Sequence, residues 1–248
     1  MSGRTDPLAP LAELDGVAAA AKAAQDAVFA VHRHRANLRG GSATAAEASV
    51  RAARASAAVE GADPDIPEEG AVSDPVLAGA LRVAEATESL LPTWRRAPLQ
   101  ALARMHVLAA ADLTADPDSL GRPRPADGVA SRLELLAQLT TGATGVGGPV
   151  LTAVVHGELL TLRPFGSADG VVARAAARLT MIATGLDPKA LTVPEVACFR
   201  RLRRYQAAAE AFASGEPDGV REWLLFCCEA FETGAREATS IADAAAGS

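Results

Sequence analysis

Lysine is nearly missing from this chain. Of its 24 basic residues only Lys22 and Lys189 are lysines, the rest being arginine, and the net charge of −6 gives no general basic footprint for nucleic acid. Cysteine is also scarce, with only Cys198, Cys227 and Cys228. Three thiols make no disulfide framework and have no metal spacing, and the adjacent pair sits in an apolar helical run where thiols behave as small buried hydrophobes. No run approaches the ~20 apolar residues of a membrane span. The N-terminus lacks the basic start and continuous apolar stretch of a signal peptide. These absences point to a cytoplasmic protein with neither nucleic acid nor membrane as partner. Aromatics are few as well, two Trp, one Tyr and six Phe, although 49% of the residues are hydrophobic. Alanine supplies much of that content, so the natural core is close helix–helix contact through small side chains. High alanine, arginine and glycine with little lysine is the composition of a GC-rich bacterial genome.

At 248 residues the chain fits one ordinary domain with a helical arm. Residues 1–9 are polar and contain proline, and read as a loose end. Leu11 to about His34 is an alanine-rich helical stretch, broken at Arg39-Gly40-Gly41. Ser42 or Thr44 is placed to cap the next helix, with Glu47 in its first turn, and that helix stops at Glu60-Gly61. An acidic, proline-bearing connector covers 62–75. Val76, Leu77, Ala80, Leu81, Ala84 and Leu91 have helical spacing, and Pro92 should end that helix. Further helices are expected at 98–112, 130–139 and 149–162. A basic run in 194–213, with Arg200, Arg201, Arg203 and Arg204, reads as a solvated face. A long helix from Val220 to about Ala244 aligns Trp223, Cys227, Ala230 and Phe231 on one stripe. Between 114 and 127, Pro117, Gly121, Pro123 and Pro125 mark an irregular excursion with room for a short β-hairpin flap. The fold class is all-α, divided into an N-terminal helical arm, 1–41, and a helical domain, 42–248.

Chemistry concentrates in R-P-F-G-S-A-D-G-V-V-A-R, from Arg163 to Arg174. An apolar helix runs into Pro164-Phe165 and a small turn, and Gly170 opens a second helix carrying Arg174 and Arg178. Helix, tight loop and helix N-terminus point free N–H groups at one spot and favour an anion there. Arg163, Ser167, Asp169, Gly170 and Arg174 would line it. As an N-cap, Asp169 would accept the amide of residue 171 or 172 and stabilise the helix by ~0.5–2 kcal/mol. A second feature is Ser56-Ala57-Ala58-Val59-Glu60-Gly61, with Ser56 and Glu60 on one helix face. An anion in a last helical turn is disfavoured by ~0.3–1 kcal/mol, so Glu60 must find a tertiary cation or sit in water. His32 and His34 fall on different faces and make no ligand pair, while His106 and His156 lie in apolar runs and read as packing residues. There is no metal-ligand spacing, no Gly-x-Ser-x-Gly elbow and no P-loop.

Together these two features resemble the Fic (Fido) family, bacterial enzymes that mostly transfer AMP from ATP to a protein hydroxyl. That family carries H-P-F-x-D/E-G-N-G-R-x-x-R between two helices, and many members have an inhibitory helix ending in S/T-x-x-x-E-G/N. Ser56 to Gly61 fits the second pattern in full and lies upstream of the core, as in members of the N-terminal inhibitory-helix type. The resemblance spans about Ser42 to Phe231. It includes the helix with His156, the Gly121-Arg122 region where the family has its target-docking flap, and the helix with Arg204-Tyr205. It implies an all-α, Fic-like bundle and an inhibitory pair between Glu60 and Arg174. ATP and Mg²⁺ are implied by this resemblance alone, and no metal ligand is assigned.

The family's active-site motif is degenerate here. Pro164, Phe165, Gly170 and Arg174 match, but Arg163 stands where the catalytic histidine would be and Ser167 where the Mg²⁺-binding acid would be. Ala168 replaces the first glycine, Asp169 the asparagine, and Val171 the arginine that contacts phosphate. An arginine keeps its proton at any ordinary pH and cannot act as a general base, a loss of ~10²–10⁴ in rate. Serine is a poor sole protein ligand for Mg²⁺. The leading expectation is therefore a pseudoenzyme with a binding or regulatory role and another protein as partner, its enzymatic activity left open. One alternative is a divergent transferase that clamps a phosphorylated donor with Arg163, Arg174 and Arg178 and takes its base from His156 or Asp169. Another is a helical interaction protein whose surfaces, rather than the loop, matter.

Overall fold

The computed structural model describes residues 6–38, 41–68 and 70–247. Among these the chain forms twelve α-helices and no β-strand: α1 (Ala9–Ala12), α2 (Val17–His32), α3 (Arg35–Leu38), α4 (Ser42–Val59), α5 (Pro75–Trp94), α6 (Pro98–Ala110), α7 (Val129–Gln138), α8 (Gly148–Leu162), α9 (Asp169–Ala183), α10 (Glu195–Arg200), α11 (Leu202–Ala213) and α12 (Pro217–Gly247). The expectation of an all-α fold holds. No helix among the described residues is long and apolar enough to cross a membrane.

α8 and α9 pack together at the centre. Val150, Leu151, Val154, Val155, Leu159 and Leu162 are all buried, and a helix apolar around most of its circumference has to be enclosed. α12 and α2 close one flank of α8; α5 and α6 close the other side, against α9. The described part of 1–41 packs along α12, where Val17, Ala24, Val28 and Val31 join the same core as α8. Trp223 on α12 donates its indole N–H to the Ala153 carbonyl at 2.8 Å. That approach depends on Gly157, where any side chain would run into Trp223 and Phe212. α4 lies across α5, α10 and α12, which carries its C-terminal end over α9.

Several local expectations are corrected. The stretch 11–34 is not one helix: Gly16, at φ 77, separates α1 from α2. The break at Arg39-Gly40 and residues 1–5 of the loose end lie outside the described residues. Within the remainder of that end, Asp6 is tied down by the Thr144 hydroxyl and the Gly145 N–H. Neither Ser42 nor Thr44 caps α4. Gly41 holds the N-cap position without a side-chain bond, and the buried Thr44 hydroxyl turns to Asn37 Oδ1 at 2.7 Å. Pro92 does not end α5, because it removes only one donor near the terminus while the Arg95 N–H still reaches the Leu91 carbonyl and buried Trp94 anchors the last turn. The hairpin expected at 114–127 does not form. Pro117, Pro123 and Pro125 withhold the donors a ladder needs, leaving one 3₁₀ turn at Pro117–Ser119 and extended chain.

Candidate functional site

The α8–α9 connection holds the site. α8 closes on Arg163, at φ 44, whose N–H donates to the Leu159 carbonyl, and α9 starts after Ala168, at φ 51. Ala168 thus takes the N-cap position and leaves Asp169 as the first helical residue. Helical side chains lean toward the N-terminus, so the Asp169 carboxylate points back into the loop. It accepts the N–H groups of Phe165 at 2.9 Å and Gly166 at 2.8 Å. The expected cap on residues 171 or 172 is therefore wrong: Asp169 satisfies loop amides, not helix amides. Burial pushes its carboxyl above the usual range, against the pull of those two amides and of Arg163 and Arg124.

Ser167 faces His106, which is more than the packing residue its apolar run suggests. His106 on α6 stacks flat on Phe165, with centroids 4.2 Å apart, and its Nε2 lies 3.0 Å from Ser167 Oγ. The pair has the look of a nucleophile with its base, but the tautomer is wrong for that. The Gly121 N–H donates to Nδ1 at 2.9 Å, so a neutral ring carries its proton on Nε2 and donates to the serine. Burial lowers the His106 pKa and keeps it neutral.

From the excursion, Arg124 reaches over the loop. Its backbone N–H donates to the Pro164 carbonyl at 2.8 Å, its Nε to the Arg163 carbonyl at 2.7 Å and its Nη2 to the Leu162 carbonyl at 2.8 Å. A guanidinium on the last carbonyls of α8 satisfies orphan acceptors and suits the negative end of the helix dipole. Only the bracketing prolines, Pro123 and Pro125, hint in the sequence at a segment held extended for such a role. For His106 no sequence signal exists, because the partner is 61 residues away.

Behind the loop lies Arg174, buried at 3% exposure. Its Nε donates to Ser56 Oγ at 2.8 Å and its Nη2 to the Ser56 carbonyl at 3.0 Å and Glu60 Oε1 at 2.6 Å. The Glu60 carboxylate rests on Gly170, where any Cβ would overlap it. Nη1 reaches the Tyr205 hydroxyl at 3.3 Å, which leaves the tyrosine proton for His156 Nε2, 2.9 Å away. His156 is pushed down to about 3 by burial and by the Arg174 charge, so it stays neutral and enclosed. Arg174 itself is held above its usual pKa: burial works against the charge, but Tyr205 and Glu60 outweigh it. Gly61 follows in a left-handed turn at φ 84.

Other candidates lie elsewhere. Arg178, expected among phosphate clamps, is buried in an ion pair with Glu195 at 3.0 Å and donates to the Thr192 carbonyl, so it is not available to a ligand. His32 and His34 bond separate carboxylates, Asp187 and Asp243. Three of the four arginines of the basic run are paired at the surface, Arg201 and Arg204 with Glu229 and Arg200 with Glu237. Cys198 is buried and pushed up to about 12 by that burial. The loop suits a divalent cation poorly: Asp169, its one carboxylate, is buried and turned toward the amides of Phe165 and Gly166, Ser167 accepts from His106, and no group of three His, Cys, Asp or Glu among the described residues could hold a metal.

Two solved structures share this architecture. A Fic family protein from Desulfovibrio desulfuricans G20 superposes with a TM-score of 0.74 at 19% identity, covering 92% of this chain and 75% of that one. Residues 134–508 of Fic-1 from C. elegans give a TM-score of 0.71 at 16% identity, covering 90% of this chain and 72% of that one. At such identities the likeness establishes the fold, and this chain has the Fic fold. No protein-family model matches the chain, and no curated protein matches it by sequence.

Proposed function

We propose that this Fic-fold chain is a pseudoenzyme of the N-terminal inhibitory-helix type, with a binding or regulatory role in place of AMP transfer. The observation that carries the reading is the Asp169 carboxylate on the amides of Phe165 and Gly166. An acceptor built into the loop stands where an anionic substrate would need donors. Among the described residues, the alternative base Asp169 is buried and carries a loop amide N–H on each carboxylate oxygen. Arg163 cannot give up its proton, His106 offers Nε2–H rather than a lone pair, and His156 is enclosed between Tyr205 and Trp223. Losing a positioned base alone costs ~10²–10⁴ in rate. Glu60 and Arg174, the family's inhibitory pair, here act as a staple between α4 and α9.

Incubating the wild type and a Glu60→Gly variant with labelled ATP, Mg²⁺ and a cell lysate tests this. The expected outcome is no label on protein from either form. Robust labelling by either overturns the proposal and favours the divergent transferase.

A further inference from the structure

The excursion between α6 and α7 hangs on a few polar attachments. No residue from 114 to 127 is buried, so little apolar contact holds it. The N–H groups of Ser119, Arg122 and Ala126 stay within the excursion, on the carbonyls of Asp116, Ser119 and Arg124. Apart from the turn into α7, two residues tie it to other elements among those described. Arg124 donates to Leu162, Arg163 and Pro164, and the Gly121 N–H donates to His106 Nδ1. Gly121 lies close over α6, at φ 73, where a Cβ would come within 3.1 Å of the Ala103 carbonyl and of Val107. His106 thus stands between excursion and loop: one ring nitrogen accepts from Gly121 and the other donates to Ser167.

Only a neutral imidazole can do both. Protonation puts an N–H on Nδ1, where it meets the Gly121 N–H donor against donor. His106 is 1% exposed, so water cannot compensate while the excursion stays in place. No carboxylate steadies the cation either. On the loop and the start of α9, Asp169 is held by two amides beside Arg163. From α5 and α7, Arg82 pairs with Asp112 and Arg132 with Glu158. The excursion carries Asp116, Asp118 and Asp127 with Arg122 and Arg124, and α6 carries Arg104, all exposed. None of these acids forms an ion pair with His106 among the described residues, and burial holds its pKa below the usual range, offset only in part by the Ser167 backbone. The closed arrangement therefore binds fewer protons than the open one. Its stability is full above the ordinary imidazole value of ~6.5 and falls as pH drops below it.

We propose that His106 is an acid-sensitive hook: its neutral ring latches the excursion at Gly121 to the α8–α9 loop through Ser167, and protonation at Nδ1 expels the Gly121 N–H and lets that segment leave α6. The hook goes beyond the reading of the loop as a pseudoenzyme site and does not depend on it. Hydrogen exchange of the Gly121 amide at about pH 7.5 and pH 5, corrected for the intrinsic rate, tests it. Protection should fall about tenfold toward pH 5, within the ceiling of ~30-fold set by 1.5 pH units below ~6.5. At both pH values Gly121 should exchange faster than core amides such as that of Leu159. His106→Asn keeps an acceptor for Gly121 but does not titrate, and should flatten the response to within about twofold. Asp169, whose carboxyl burial raises, is retained in that variant. An unchanged pH response there assigns the effect to other groups and overturns the proposal. Ring ¹⁵N shifts of the wild type give a reading that needs no variant: Nδ1 should be unprotonated at pH 7.5 and should titrate together with the Gly121 amide shift. A ring protonated on Nδ1 at pH 7.5, Gly121 protection independent of pH, or Gly121 exchange only at the core rate overturns it as well.

Discussion

Replacing Glu60 by alanine removes the carboxylate paired with buried Arg174. The Arg174 side chain is 3% exposed and that of Glu60 35%. A lost charge-assisted bond costs ~1.5–3 kcal/mol, and a fully buried charge stripped of its partner ~3–5 kcal/mol. The lower figure applies here. Water can enter from the Glu60 side, and the two bonds to Ser56 survive. Glu60 also sits at the C-terminal end of α4, where removing an anion returns ~0.3–1 kcal/mol. The net loss expected is about 1–2 kcal/mol, or a drop in Tm of ~2–8 °C for a chain of this size. Urea and thermal melts read the single variant. A double-mutant cycle with Arg174→Met isolates the pair, with a coupling of ~1 kcal/mol or more expected. If Glu60→Ala melts with the wild type, or if the two changes simply add, the staple does not exist.

Two further outcomes follow from neighbouring geometry. Gly170→Ala should push Glu60 off Arg174 and cost ~1 kcal/mol in the wild type, yet stabilise the Glu60→Ala background by ~0.5–1 kcal/mol, since alanine is then only a better helix former. Melts of the four proteins check this; loss of stability in both backgrounds would contradict it. Asp187→Asn tests a pH dependence. Burial alone would raise the Asp187 carboxyl, but bonds from His32, Thr192 and Leu191 outweigh burial and hold it below the usual range. A depressed carboxylate pKa gives stability that is present above the unfolded value of ~3.9 and lost as pH falls through the folded one. The variant should therefore be ~1.5–3 kcal/mol less stable near neutral pH, with the gap closing below about pH 4. A gap of constant size down to acid pH would refute this.

Local periodicity was a sound guide to the fold. The apolar spacing at 76–91 and the largely apolar run at 149–162 mark α5 and α8, because the burial of each helix is written into its own sequence. Ends were less legible. Gly41 rather than Ser42 opens α4, and α5 passes Pro92, since the bond from Thr44 back to Asn37 in the preceding helix and the burial of Trp94 decide those termini. At the site, Glu60 and Arg174 were legible only through the family resemblance, because 114 residues separate them. The sequence makes Asp169 look like a cap, but the left-handed Ala168 takes the cap position one residue earlier and turns the carboxylate toward Phe165 and Gly166. His106 could not be found at all: a histidine in an apolar helix looks the same whether it meets leucine or Ser167.

The loop is filled from within, by Asp169 on the amides of Phe165 and Gly166 and by Glu60 over Gly170. Calorimetric titration of ATP, with and without Mg²⁺, into the wild-type protein tests whether any nucleotide can displace these groups. No saturable binding is expected up to about 1 mM. Saturable, Mg²⁺-dependent binding in the micromolar range would contradict it.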